Sequence, residues 1–140
     1  MNLRIPGPIP VPEDVLTAMA SPMINHRGQQ FQEILYRITE RIQKVFETSS
    51  DVFILTGSGT AALEAAIVNT LSPGQKVLNT SIGFFGDRFG EIARRYGAEV
   101  TDLQFPWGNA VDLDILRKSL NDDPELTAVL VTHNETSTGV

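Results

Sequence analysis

Cysteine is absent from the 140 residues, which removes a disulfide framework, a thiolate metal site and a cysteine nucleophile from consideration. Histidine is scarce: the 2 present, His26 and His133, stand too far apart to form a local metal motif. No apolar run approaches the roughly 18 residues of a membrane span, and the proline-rich start lacks the apolar core of a secretory signal. Basic residues are few, 11 against 17 acidic, for a net charge of -6. That balance argues against the broad cationic footprint that a nucleic-acid backbone needs. The expectation is a cytoplasmic protein with no nucleic acid, no membrane and no metal. What remains is 41% hydrophobic and 20% charged, a composition that suits a globular domain with its own core.

The most informative stretch runs from Phe53 to Ala66. A short apolar run, Val52 to Thr56, reads as a buried strand; it enters the turn Gly57-Ser58-Gly59-Thr60 and leaves it in an alanine-rich helix. The first turn of a helix carries unpaired N–H groups and the positive end of the dipole, so such a turn is a seat for an anion. Ser58 and Thr60 add hydroxyl donors there. The turn also fits the dinucleotide pattern G-x-G-x-x-A, but that pattern calls for an acid about 20 residues on. The next strand ends Asn79-Thr80-Ser81, without one. No Lys follows the glycines, so the triphosphate-binding loop is excluded. An ordinary glycine-rich turn without a ligand would give the same local pattern.

Along the chain, Arg4 to Pro12 is proline-rich and must be extended, an arm that cannot pair regularly in a sheet. Pro12 to Met19 predicts a short helix stopped near Pro22. From Gln30 to Thr48 the apolar residues Phe31, Ile34, Leu35, Ile38, Ile42, Val45 and Phe46 recur at helical spacing, a stripe suited to core or subunit interface. Strands and helices then alternate: helix 60–71, strand 76–80, helix 86–96, strand 99–105, helix 112–120 and strand 127–132. This predicts an α/β fold, a mainly parallel sheet with helices on both faces, with ligands beyond the carboxyl ends of the strands. The expected division is residues 1–22 as arm and short helix, and 23–140 as the first, incomplete part of a larger domain. The chain stops in a loop, Thr136 to Val140, and reads as truncated.

Five stretches in order carry a family resemblance: Pro6-Gly7-Pro8, Met23 to Arg27, Leu55 to Thr60, Gly83 to Phe89, and Val131 to Val140. Together they resemble class V pyridoxal-phosphate aminotransferases, nearest the alanine–glyoxylate and serine–pyruvate or serine–glyoxylate group. The resemblance covers essentially the whole chain. It implies a fold-type-I enzyme, a homodimer with a large and a small domain, and pyridoxal 5'-phosphate as cofactor.

By that resemblance Ser58, Gly59 and Thr60 hold the cofactor phosphate, Phe85 stacks on the pyridine ring, and the Thr136 hydroxyl lies near the phenolic oxygen. Gly7, in the arm, offers a backbone contact to the substrate carboxylate. Phe85 could instead pack in the core, and Thr136 and Gly139 could simply make a turn. His26 and Arg27 read as interface residues and His133 as a structural hydrogen-bonding group. The Schiff-base Lys and the pyridine-paired Asp are expected beyond Val140; Lys44, Lys76 and Lys118 do not fit the first role. The implied activity is transamination of alanine or serine with glyoxylate or pyruvate by the parent protein, with this segment inactive alone. The alternatives are a Rossmann-type dinucleotide domain, another class V enzyme such as a cysteine desulfurase or phosphoserine transaminase, and a self-associating sheet fragment.

Overall fold

The structure, a computed structural model, describes residues 5–140. The chain divides into two compact units, one ending at Thr56 and one running from Gly57 to Val140.

In the first unit, α1 (Glu13–Met19) forms where its proline and acidic start places it, and α2 (Gln29–Val45) where the spacing of apolar residues does, ending at Val45 rather than Thr48. Glu13 and Asp14 occupy the first turn of α1, where the helix dipole favours negative charge. Neither helix has a buried residue. Phe31, Ile34 and Ile42 of the α2 stripe are half-buried, while Leu35 and Ile38 are exposed. The expected strand Val52 to Thr56 does not form. A strand persists only when its N–H and C=O groups find a ladder, and this unit contains no other strand among the described residues. Phe53, Ile54 and Leu55 therefore stay exposed.

The second unit contains α3 (Gly59–Thr70), β1 (Lys76–Ser81), α4 (Phe84–Arg95), β2 (Glu99–Gln104), α5 (Leu113–Asp122) and β3 (Leu126–Val131), each close to its expected bounds. The strands lie in the order β2-β1-β3 and both pairings are parallel. Central β1 is buried from Val77 to Ser81, the behaviour of a strand covered on both faces. Its side chains alternate: Val77, Asn79 and Ser81 lie on the side of α4, and Leu78 and Thr80 on the other. The crossover from β1 to β2 and that from β2 to β3 run in opposite directions across the sheet. Right-handed connections therefore put α4 and α5 on opposite faces, as expected for an α/β sheet.

Between α3, α4 and the sheet sits the core: Ile67, Val77, Ile92, Ala93, Ala98 and Leu130, flanked by Leu63, Leu71 and Phe89. Leu63, Ile67 and Leu71 repeat at four-residue intervals and so share one face of α3. Burying each large aliphatic side chain is worth about 1.5–3 kcal/mol. The approach of α4 to β1 leaves no room at Gly90, where a Cβ would stand 2.5 Å from Asn79 Nδ2. That amide is pinned by bonds to the Gly86 carbonyl (3.2 Å) and Asp102 Oδ1 (2.9 Å). Arg94, exposed on α4, pairs with the same Asp102. Because α3 leads through a short turn straight into β1, it runs opposite to the strand. Its N-terminus thus opens at the carboxyl end of the sheet, the end from which α4 also departs.

Candidate cofactor site

Ser58 is the N-cap of α3, with extended backbone (φ -81°, ψ 166°) and a hydroxyl that accepts from the Ala61 amide at 3.2 Å. Its carbonyl accepts from Ala62 at 3.2 Å. Two donors of the first turn are thereby used. The amides of Gly59 and Thr60 have no acceptor among the described residues. Gly57, Ser58 and Gly59 are exposed, Thr60 is half-buried, and nothing lies within 4 Å of where a Gly59 Cβ would stand. The mouth is open, and two free amides and the Ser58 hydroxyl lie at the positive end of the helix dipole.

The mouth of α4 is closed. Its N-cap is Gly83, which has no side chain to offer. The carboxylate of Glu135, arriving from the loop after β3, takes that place. Oε2 accepts from the Phe85 and Gly86 amides, both at 3.0 Å. Oε1 accepts from the Ser137 amide at 3.0 Å and its hydroxyl at 2.7 Å. The same hydroxyl oxygen accepts from the Phe84 amide at 2.9 Å. Glu135 is 1% exposed. Burial pushes its carboxyl pKa up, but the Ser137 hydroxyl, then the amides of Ser137, Gly86 and Phe85, outweigh it and hold the group below the ordinary glutamate range. Gly83 is small for a reason of space: a Cβ there would lie 2.5 Å from Glu135 Cγ and 2.6 Å from Ser137 Oγ.

Phe85 is half-buried, its ring edge-to-face with that of exposed Phe84 at 5.3 Å and 89°. Thr136 is exposed beside a hollow of about 230 Å³ lined by Asn134, Glu135, Thr136, Gly139 and Val140. Glu135 thus joins Phe85 and Thr136 directly. Ser58 to Thr60 share only the end of the sheet with them, and no hydrogen bond links the groups. Gly7 lies in the first unit, exposed, with open space around its Cα. His133 is exposed and makes no side-chain hydrogen bond among the described residues, so the structural role expected of it is not observed. Lys76 sits at the opposite end of β1, its ammonium bound to Glu125 (2.5 Å) and Asp123 (3.3 Å). Those two hydrogen bonds, Glu125 first, raise its pKa above the ordinary lysine value.

Sequence reasoning passed over Glu135, Ser137 and Gly83. One signal was present. A helix opening Gly83-Phe84-Phe85-Gly86 has no capping side chain of its own, so its first amides require an acceptor from elsewhere in the chain.

Fold and site together define an α/β domain with an open helix mouth beyond the carboxyl ends of a parallel sheet, an arrangement suited to a phosphate-bearing ligand. Residues 13–140 match the family described as Aminotransferase class-V. An uncharacterized aminotransferase of Methanocaldococcus jannaschii is 44% identical over 137 residues, 98% of this chain and 36% of that protein. The L-aspartate–glyoxylate aminotransferase of Paracoccus denitrificans is 42% identical over 139 residues, 97% of this chain and 35% of that protein. Among solved structures, the alanine–glyoxylate aminotransferase of Nostoc sp. is similar with a TM-score of 0.89 at 35% identity, over 96% of this chain and 36% of that one. The chain therefore spans little more than a third of the length of these relatives. It belongs to the class V aminotransferases.

That class depends on pyridoxal phosphate, which is the cofactor expected here. The residues present fit it. The free amides at Gly59 and Thr60 suit a phosphate, and the space above Gly59 is clear. Phe85 and Thr136 supply a flat apolar face and a hydroxyl at the same end of the sheet.

Proposed function

We propose that the chain serves as the first third of a pyridoxal-phosphate-dependent aminotransferase, which moves the amino group of a small amino acid such as alanine or serine to glyoxylate or pyruvate. The observation that carries this reading is the open mouth of α3, with unpartnered amides at Gly59 and Thr60, in a chain of the class V family. Relatives named as alanine–glyoxylate and serine–glyoxylate aminotransferases support the choice of substrates. When bound, the cofactor supplies an electron sink for bond breaking at the amino acid's alpha carbon.

In this reading Ser58, Gly59 and Thr60 hold the phosphate with amide and hydroxyl donors, fixing one end of the molecule. Phe85 would present a flat apolar face to the cofactor ring. The Thr136 hydroxyl would offer a hydrogen bond to the cofactor's phenolic oxygen. Lys76 takes no part, because it lies at the far end of the sheet, paired with Asp123 and Glu125. The working form is a cytoplasmic homodimer.

The test is cofactor uptake by the full-length protein. The expected result is a yellow holoprotein whose visible absorption shifts on adding alanine or serine and returns on adding glyoxylate. A protein that stays colourless with excess pyridoxal phosphate overturns the reading. Residues 1–140 expressed alone are expected to show no turnover.

A further inference from the structure

Glu135 has no part in the roles above, yet it is among the most enclosed polar groups of the second unit. A carboxylate so buried persists as an anion only when its lone pairs are filled, and here four donors fill them at 2.7–3.0 Å. The donors come from two places. Two are the backbone amides of Phe85 and Gly86 on α4, and two belong to Ser137 in the loop after β3. Glu135 is therefore the clasp between the element that carries Phe85 and the loop that carries Thr136. It bonds the backbone of the first and precedes the second in the chain.

A second consequence follows from charge. A helix N-terminus attracts anions, and α4 opens at the same end of the sheet as α3. With a resident carboxylate across its first amides, α4 offers an incoming phosphate no free donor and a repelling charge. The mouth of α3 carries no such group, and its amides remain open.

We propose that Glu135 is a positioning residue for the cofactor: it sets Phe85 and Thr136 in register with each other and, by closing the α4 mouth, leaves the α3 mouth as the phosphate seat. This rests on the aminotransferase reading above. A plain helix cap would stabilise the fold without affecting how a bound ring is held, and the two roles part at that point.

The experiment uses the full-length protein with Glu135→Gln and Glu135→Ala. Three quantities are measured: the dissociation constant for pyridoxal phosphate, the visible circular dichroism per bound cofactor, and amide hydrogen exchange at Phe85 and Gly86 in the cofactor-free protein. Glu135→Ala is expected to weaken binding about 10-fold, since two buried amides lose their acceptor. It should also reduce the visible dichroism by more than half. Formate, which matches the deleted carboxylate, should restore both in Glu135→Ala and change neither in the wild type. Glu135→Gln keeps one acceptor oxygen but turns a donor toward the Ser137 amide, and should fall between the two. If Glu135→Ala does not fold, Glu135→Gln decides.

Folded variants with wild-type dichroism and affinity overturn the proposal and leave Glu135 a cap alone. Fast exchange at Phe85 and Gly86 in the wild type overturns it as well. A wild type that takes up no cofactor overturns the aminotransferase reading instead. The exchange measurement needs no cofactor, so it separates the two failures.

Discussion

The mouths of α3 and α4 open at the same end of one sheet, and each helix starts at a short turn that contains glycine. They dispose of their first amides in opposite ways. At α3 the cap is local: the Ser58 hydroxyl and carbonyl take the Ala61 and Ala62 amides and leave two donors ahead of them free. At α4 the cap is remote, a carboxylate 50 residues along the chain from Phe85, and it uses the donors up. The same backbone physics thus yields a seat at one helix and a closed end at the other. The side chain delivered to each mouth makes the difference.

The largest effect should come from making the two mouths alike. Ser58→Asp puts a carboxylate at α3 while keeping a good N-cap, so the helix is retained. The added charge faces the phosphate, and like-charge juxtaposition costs several kcal/mol, so cofactor affinity should drop by about 100-fold or more. Equilibrium titration of the full-length protein measures this, with the melting temperature of the cofactor-free form as the control for folding. Unchanged affinity would mean that the phosphate sits somewhere else.

A smaller effect is expected from Gly83→Ala, which drives a methyl group into Glu135 and Ser137. Overpacking of this kind costs about 1–3 kcal/mol, readable as a lower midpoint in urea. Full stability in this variant would show that the carboxylate can move aside and that the clasp is loose.

The smallest effect lies in the pH profile. The folded-state pKa of Glu135 is depressed, so its contribution to stability is fully present above the ordinary glutamate value of about 4.3 and is lost as pH falls through the lower folded value. Melting curves taken from about pH 6 down to about pH 3 should fall less steeply in Glu135→Gln than in the wild type. Parallel slopes would mean that Glu135 has no linked proton.

The alternating elements of the second unit were legible because β1 is an apolar and small-residue run bounded by turns, and because α3 places Leu63, Ile67 and Leu71 on one face. The stretch Val52 to Thr56 has an equally good local pattern and forms no strand, since a ladder needs a partner and pattern alone supplies none. At the site, Ser58 to Thr60 could be read as an anion seat because the cap and the free amides lie within a few residues of one another. Glu135 could not, because its four partners come from Phe85, Gly86 and Ser137, and only folding brings the loop after β3 over the start of α4. His133, more conspicuous in sequence than its neighbour two places on, proved exposed and without a side-chain partner.

By itself, the order of residues determined the α/β class, the helix mouth at Ser58 and the family, since each depends on contacts or motifs local in the chain. The tertiary structure decided that the α4 mouth is shut, that Gly83 must lack a side chain, and that Phe85 and Thr136 are tied together. Those outcomes depend on which distant groups meet around the buried Glu135 carboxylate, where a donor must find an acceptor or leave an amide unpaired.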